Sequence, residues 1–417
     1  MIIISRPTIC NNGDRAMLSA LVKDESRRIE QELWYSVPSK CEGFLCADYA
    51  DAFLVALILL AMRTSQDIMC ESPVSQKLLF NVCNTLQPIF SRVISNGTCV
   101  KIIAPVCNDI KYQHQGVGCG CSLGVDALSA YYAQNEKWVP DDYKVTHLAL
   151  FNCGQLGDYE HDKVAEYFKR SIAETIPFAN AVGLPLVDVD SNINEFYKNS
   201  GVTLLQSFVL RTISCAMALQ KGWGCYVYGS SYPITNFTFS DWDSSHMESS
   251  YVPLLGTENF TPILANPMMS RVDKTDYIAK NKLTPKYLRV CWAEQTAYEI
   301  WHNTKYLDGK IKINCGWCDK CLRTLFTLEA LGYDLAPYAS QFDLEKYKEH
   351  REEFVVNVIR QRDKNVFYKE IFELIEKRSV ALPSHALKIL KRQRNFAAIN
   401  SLAKRVSSRL LRLFGGF

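Results

Sequence analysis

Two changes of rhythm divide the pattern of apolar and polar positions along the chain. Residues 1–110 hold one long apolar run, "AFLVALILLAM" at 52–62, bounded by Asp51 and Arg63. The run is too short to cross a bilayer and reads as a buried helix. "SPVSQKLLFNVCNTLQPIF" follows, with leucines and phenylalanines at helical spacing. From about residue 112 short apolar runs alternate with amphipathic stretches. "THLALF" (146–151), "LPLVDVD" (184–190) and "CYVYGSS" (225–231) read as strands. Between them, "DKVAEYFKRSIAET" places Val164, Tyr167, Phe168 and Ile172 on one helical face, and "SFVLRTISCAMALQKG" reads as a second helix. This alternation predicts an α/β fold, a parallel sheet covered by helices on both faces. Ligands of such sheets sit at the carboxyl ends of the strands. That singles out Ser122, Phe151, Asn152, Asp188, Asp190, Ser230 and Ser231. Beyond 330 the chain reads as helical. The expected organisation is an N-terminal α+β or helical region at 1–110, an α/β domain at 111–330 and a helical segment at 331–417.

Composition narrows the class. With 48% hydrophobic and 22% charged residues, the chain is globular rather than disordered. The net charge of +3 is unevenly spread: no acidic residue follows Glu376, but ten lysines and arginines do, which leaves the preceding body at about −7. Such a body carries no strong nucleic-acid signal. Sixteen cysteines occur without a basic, apolar, small-residue leader at "MIIISRPTIC". A reducing, cytoplasmic setting is expected, where clustered cysteines point to metal rather than to disulfides.

The stretch "CGCSLGVDALSAYY" at 119–132 is the first candidate for chemistry. Gly116, Gly118 and Gly120 are spaced G-x-G-x-G, which is not the dinucleotide fingerprint, and no Gly-Lys-Ser/Thr follows to make a Walker loop. What remains is Ser122-Leu123-Gly124-Val125-Asp126-Ala127 at a strand-to-helix turn. A helix start offers unpaired N–H groups and partial positive charge to a phosphate. Equally, Asp126 can serve as a plain helix cap.

Several segments together carry a resemblance. "SLGVDA" resembles the S-G-G-x-D-S loop of the ATP pyrophosphatases, enzymes that cleave ATP between its α and β phosphates. "LALFNCGQ" resembles the F-N-x-G-Q segment of the 7-cyano-7-deazaguanine synthase (QueC) family. "LRTISCAMALQKGWGCYVYGSS" is similar to that family's helix and strand before its substrate loop. "NPMMSRVDKTDYIA" resembles its segment with a phosphate-contacting lysine, here Lys274, one residue displaced. "NCGWCDKCLRT" resembles its zinc motif. The likeness runs in consistent order from 115 to 330. It departs at Leu123, which replaces a glycine, at Ala127, which replaces a serine, and between Tyr232 and Phe260, where the substrate loop is not recognisable.

The resemblance implies a doubly wound, HUP-like ATP-pyrophosphatase core. Ser122, Leu123, Gly124, Val125, Asp126 and Ala127 would form the pyrophosphate loop. Phe151, Asn152, Gly229 and Ser230 would line the nucleotide site. Asp126, with Mg2+, and Lys274 would be catalytic. The implied reaction is adenylation: a substrate carboxylate attacks the α-phosphorus of ATP, and ammonia or another nucleophile then displaces AMP. The acceptor is a small-molecule or protein-borne carboxylate. Two other readings stay open, an ATP-dependent thiolase of RNA or a small molecule, and a non-catalytic nucleotide- or partner-binding module with a decayed loop.

Cys315, Cys318 and Cys321 are spaced C-x2-C-x2-C. One short loop thus offers three of the four ligands that tetrahedral zinc prefers. Cys291 is the candidate fourth and His302 the reserve. A closed four-cysteine site is structural; an iron–sulfur cluster is the rival. Cys119 and Cys121 could carry sulfur or simply fill a strand core. Asp188 and Asp190 could hold Mg2+ or cap the next segment.

In "FAAINSLAKRVSSRLLRLF" (396–414), Ile399, Leu402, Val406, Leu410 and Leu413 form a stripe opposite Lys404, Arg405, Ser408 and Arg412. This tail suits an anionic membrane surface, the protein's own acidic body, or a second subunit in a homo-oligomer.

Overall fold

A computed structural model describes residues 1–113, 116–156, 162–291 and 312–392. His302 and the basic tail at 396–414 lie outside the described residues. The chain forms two compact units that divide between Ser270 and Arg271.

The first unit is α/β, built on one large sheet. Its N-terminal strands are β1 (Ile2–Ile4), β2 (Thr8–Asn11), β3 (Arg15–Asp24) and β4 (Ile29–Pro38). β3 and β4 make a long antiparallel hairpin, from Arg15 opposite Pro38 to Asp24 opposite Ile29. Arg28, in the left-handed region at φ 55°, lies in its turn. β5 (Ile68–Cys70) and β7 (Ile102–Ile103) continue the same sheet, whereas β6 (Val74–Ser75) and β8 (Val106–Cys107) form a separate short pair. The apolar run becomes the helix Asp51–Thr64, with every residue from Asp51 to Met62 buried. This explains why the run has no polar stripe: a helix buried on all sides needs none. The helix ends at Ser65 in a left-handed cap. The second helical stretch runs from Gln76 to Val93 through a π-turn at Val82–Leu86.

The later strands are parallel: β9 (Gly116–Gly120), β10 (His147–Asn152), β11 (Leu186–Ser191), β12 (Trp223–Gly229) and β13 (Thr261–Ala265). The main path across the sheet is β13-β12-β9-β10-β11-β4-β3-β1-β5-β7. From β9 the chain steps one way to β10 and β11, then returns to the other side for β12 and β13. β11 meets β4 antiparallel, with Asp190 opposite Ser36 and Ser191 opposite Tyr35. Residues 1–110 are therefore α+β and share their sheet with the strands that follow.

Parallel strands are buried on both faces. Ala149, Phe151, Val187 and Val189 pack into the core with Tyr35, Phe53, Leu57 and Ile213. Leu148 and Leu150, their neighbours of opposite parity, are buried as well. The helix Val125–Gln134 packs on β9 and β12, and the helix Asp162–Val182 on β10 and β11. The glycines of β9 have a packing cause. A Cβ on Gly118 would sit 2.6 Å from the Trp223 ring, and one on Gly120 would sit 2.8 Å from the Tyr226 hydroxyl.

The second unit is helical: Arg271–Ala279, Thr284–Tyr287, Asp319–Leu331, Leu344–Gln361 and Val366–Arg378. Asp343 and Asn365 accept backbone N–H groups at the starts of the last two helices, and Gly332 closes Asp319–Leu331 at φ 91°. Phe326, Phe354, Val355, Ile359 and Ile371 are buried among these helices, and Arg351 grips Glu329 through both carboxylate oxygens.

Candidate functional site

The strand-to-helix turn predicted from sequence is present. β9 ends at Gly120, Cys121 N–H donates to the Ala149 carbonyl at 2.7 Å, and the helix starts at Val125. Its N-cap is Gly124, in extended conformation, and no side chain caps it. Asp126 is the second helical residue, so the plain N-cap role is not the one it fills. Leu128 N–H makes the intrahelical bond to the Gly124 carbonyl. The amides of Val125, Asp126 and Ala127 precede it, in the turn where a helix has no carbonyl of its own to offer. Ser122 is exposed, and its Oγ accepts the Gly124 N–H at 3.4 Å.

Leu123 stands in the left-handed region at φ 61° with its side chain buried. That conformation costs a non-glycine residue about 1–3 kcal/mol. The sequence pattern gave no sign of it. Burial of the leucine offsets the strain and fixes the turn from below.

Gly229, at the end of β12, packs against this helix start; a Cβ there would lie 2.7 Å from the Asp126 carbonyl oxygen. Ser230 is fully buried and donates its Oγ to the Asn266 carbonyl at 3.0 Å. Asn266 in turn donates Nδ2 to the Ser129 carbonyl and hydroxyl. Ser129 is thus tied into the packing around the helix start. Phe151 is a core residue stacked on Tyr226, with ring centroids 5.4 Å apart. Asn152, buried at the end of β10, donates Nδ2 to Asp190 Oδ1 at 2.7 Å, while its Oδ1 has no protein partner. The turn, Gly229 and Ser230 thus meet at the carboxyl ends of β9 and β12, and Asn152 ends the neighbouring strand.

The structure bears on two readings that the sequence leaves open. The Asp188 carboxylate forms an ion pair with Arg15 at 2.7 Å. Cys119 and Cys121 are buried. Burial pushes the Cys121 thiol up to about 12 and Cys119 far above its usual range, so neither is an activated thiolate. Lys274 belongs to the second unit, where it is fully buried on the helix Arg271–Ala279.

The second unit holds the clearest chemical cluster. Cys291, Cys315, Cys318 and Cys321 bring their sulfurs within 4.8 Å of one another. Cys291 to Cys318 is 3.8 Å and Cys315 to Cys321 is 3.9 Å. Four thiolates each about 2.3 Å from one ion would lie about 3.8 Å apart at tetrahedral corners. Cys318 N–H donates to Cys315 Sγ at 3.3 Å, and Gly316 makes the turn between them at φ 80°. Contacts from the Cys291, Cys315 and Cys321 sulfurs hold the Cys318 thiol well below its usual range, while contacts from Cys291, Cys315 and Cys318 push Cys321 up. Four sulfurs this close cannot all ionise without a cation among them. The set fits a single metal ion such as zinc, as the spacing predicted, and Cys291 is the fourth member.

No helix among the described residues is long and apolar enough to cross a membrane. Comparison with protein-family models, curated proteins and solved structures gives no match to this chain.

Proposed function

We propose that this chain is a cytoplasmic ATP-dependent ligase with a doubly wound, HUP-like ATP-pyrophosphatase core, which adenylates a substrate carboxylate in the manner of the 7-cyano-7-deazaguanine synthases. The observation that carries the reading is the position of the S-x-G-x-D turn. It follows β9, the strand at which the sheet order reverses, and opens a ten-residue helix. Open α/β sheets bind ligands at that point.

In this reading the amides of Val125 to Ala127 and the Ser122 hydroxyl receive the pyrophosphate. Gly124 lets the backbone come close to it. Magnesium bound there would neutralise phosphate charge, and Asp126 is the carboxylate that would help to hold it. Asn152 offers its unpaired Oδ1 to an N–H of the nucleotide or acceptor, and Gly229 lets the end of β12 pack closely on the helix start. The carboxylate arrives ionised and attacks the α-phosphorus, so the first step requires no general base. Fixed amides aimed at developing charge supply most of the stabilisation. Zinc at the four cysteines would be structural. The buried, unactivated Cys119 and Cys121 weigh against sulfur transfer. Leu123 is the observation that favours the non-catalytic alternative, because it fills the place of a family glycine.

The test is product analysis with magnesium-ATP across a panel of carboxylates plus ammonium. The expected products are AMP and pyrophosphate, and Asp126→Asn should lower turnover more than ATP affinity. ADP and phosphate would overturn the reading. ATP binding with no turnover on any carboxylate would support the binding module.

A further inference from the structure

The four sulfurs come from two stretches of chain, and the side chain that joins them is Asn314. It is fully buried. Its Oδ1 accepts the N–H groups of Val290 at 2.8 Å and of Cys291 at 3.0 Å. Its Nδ2 donates to the carbonyls of Leu288 at 2.8 Å and Gln341 at 3.3 Å. Its own N–H donates to the Gln341 carbonyl, and its carbonyl accepts the Asp343 N–H, both at 3.0 Å. An asparagine amide offers two acceptor and two donor positions, and here all four are filled.

We propose that Asn314 is the positioning residue of the metal centre, holding Cys291 at the fourth tetrahedral corner before any ion arrives. The proposal rests on the reading that the four cysteines share one ion. Asn314 is bonded directly to Cys315, so one residue fixes a ligand on each stretch. Its anchor is rigid in turn. The segment at Gln341–Asp343 that receives its backbone also packs under the Cys315–Cys318 turn, where a Cβ on Gly316 would lie 2.0 Å from the Asp343 carbonyl oxygen. The backbone bridge from Asn314 to Phe342 closes the triangle. Aspartate at this position could only accept, leucine could do neither, and glutamine is one methylene too long. Without the clamp, no side chain holds the N–H groups of Val290 and Cys291, and the three remaining sulfurs would take the ion with water as fourth ligand.

Partners that orient metal ligands typically change affinity by about 10–100-fold when removed. The experiment uses the full chain, stripped with a chelator and titrated with Co2+, whose absorbance reports the number of thiolate ligands. Zinc release to a colorimetric chelator is followed in parallel. The wild type should give a four-thiolate cobalt spectrum. Asn314→Leu should give the spectrum of Cys291→Ser and release zinc at least ten-fold faster, with no further loss in the double variant. Asn314→Asp keeps the acceptor for the Val290 and Cys291 N–H groups and should retain the four-thiolate spectrum, which covers the case where the leucine variant fails to fold. A four-thiolate spectrum with wild-type release in Asn314→Leu overturns the positioning role, as does a three-thiolate spectrum in Asn314→Asp. A wild type that never shows a thiolate-bound cobalt spectrum overturns the metal reading itself.

Discussion

The guanidinium of Arg15 on β3 reaches past β4 to the carboxylate of Asp188 on β11, at 2.7 Å. The same guanidinium donates to the hydroxyl and the carbonyl of Ser36 on β4. One side chain thus staples three strands where the antiparallel and parallel parts of the sheet meet. Arg15→Met would leave the mostly buried Asp188 unpaired. Because Arg15 is more than one-third exposed, the expected loss is modest, on the order of 1 kcal/mol. It should appear as faster hydrogen exchange at the β4–β11 amides, with exchange in the helical second unit unchanged.

Asp51 gives the first unit a specific pH response. Burial raises its pKa from the ordinary 3.8 to about 6, against the lowering effect of hydrogen bonds from Ser75 and Gln220. The folded state therefore binds this proton more tightly than the unfolded chain does. Its contribution to stability is complete below about pH 4 and is lost as pH rises through 6. A shift of this size is on the order of 2–3 kcal/mol. Asp51→Asn should flatten the dependence of the denaturation midpoint on pH between 4 and 7. An unchanged slope would assign that dependence to other groups.

Gly229 tests the contact between β12 and the start of the helix. A methyl group there meets the Asp126 carbonyl at 2.7 Å, so the first helical turn must shift. On the proposed function, Gly229→Ala should weaken pyrophosphate or ATP binding about ten-fold or more, close to 1.4 kcal/mol. Zinc content should stay at the wild-type level. Titration calorimetry and metal analysis of the same preparation give both readouts.

The parts of the molecule legible in the sequence were those with local causes. β10, β11 and β12 show as apolar runs because both faces of a parallel strand are buried, and the triplet of cysteines shows because one loop supplies it. The predicted helix at 162–175 is longer, Asp162–Val182, and continues through Pro177. β3 was hidden by its mixed pattern: Asp24 in its last position is buried, held by Arg27 and Gln66. The junction of β4 with β11 joins residues about 150 apart through backbone bonds, which leave no side-chain signature. Leu123 misleads for a related reason, since a leucine does not advertise a left-handed backbone. Asn314 was invisible because its partners lie at 288–291 and 341, and only folding brings them to it.

The junction with β4 also decides what the core can be by itself. Cut away from residues 1–110, β11 would lose its β4 partner and carry unpaired N–H and C=O groups along that side, and the buried helix Asp51–Thr64 would be gone from the shared core. A bare strand edge recruits other strands, from another copy if none is nearer. The N-terminal hairpin therefore covers the side of β11 that the five parallel strands would otherwise leave bare.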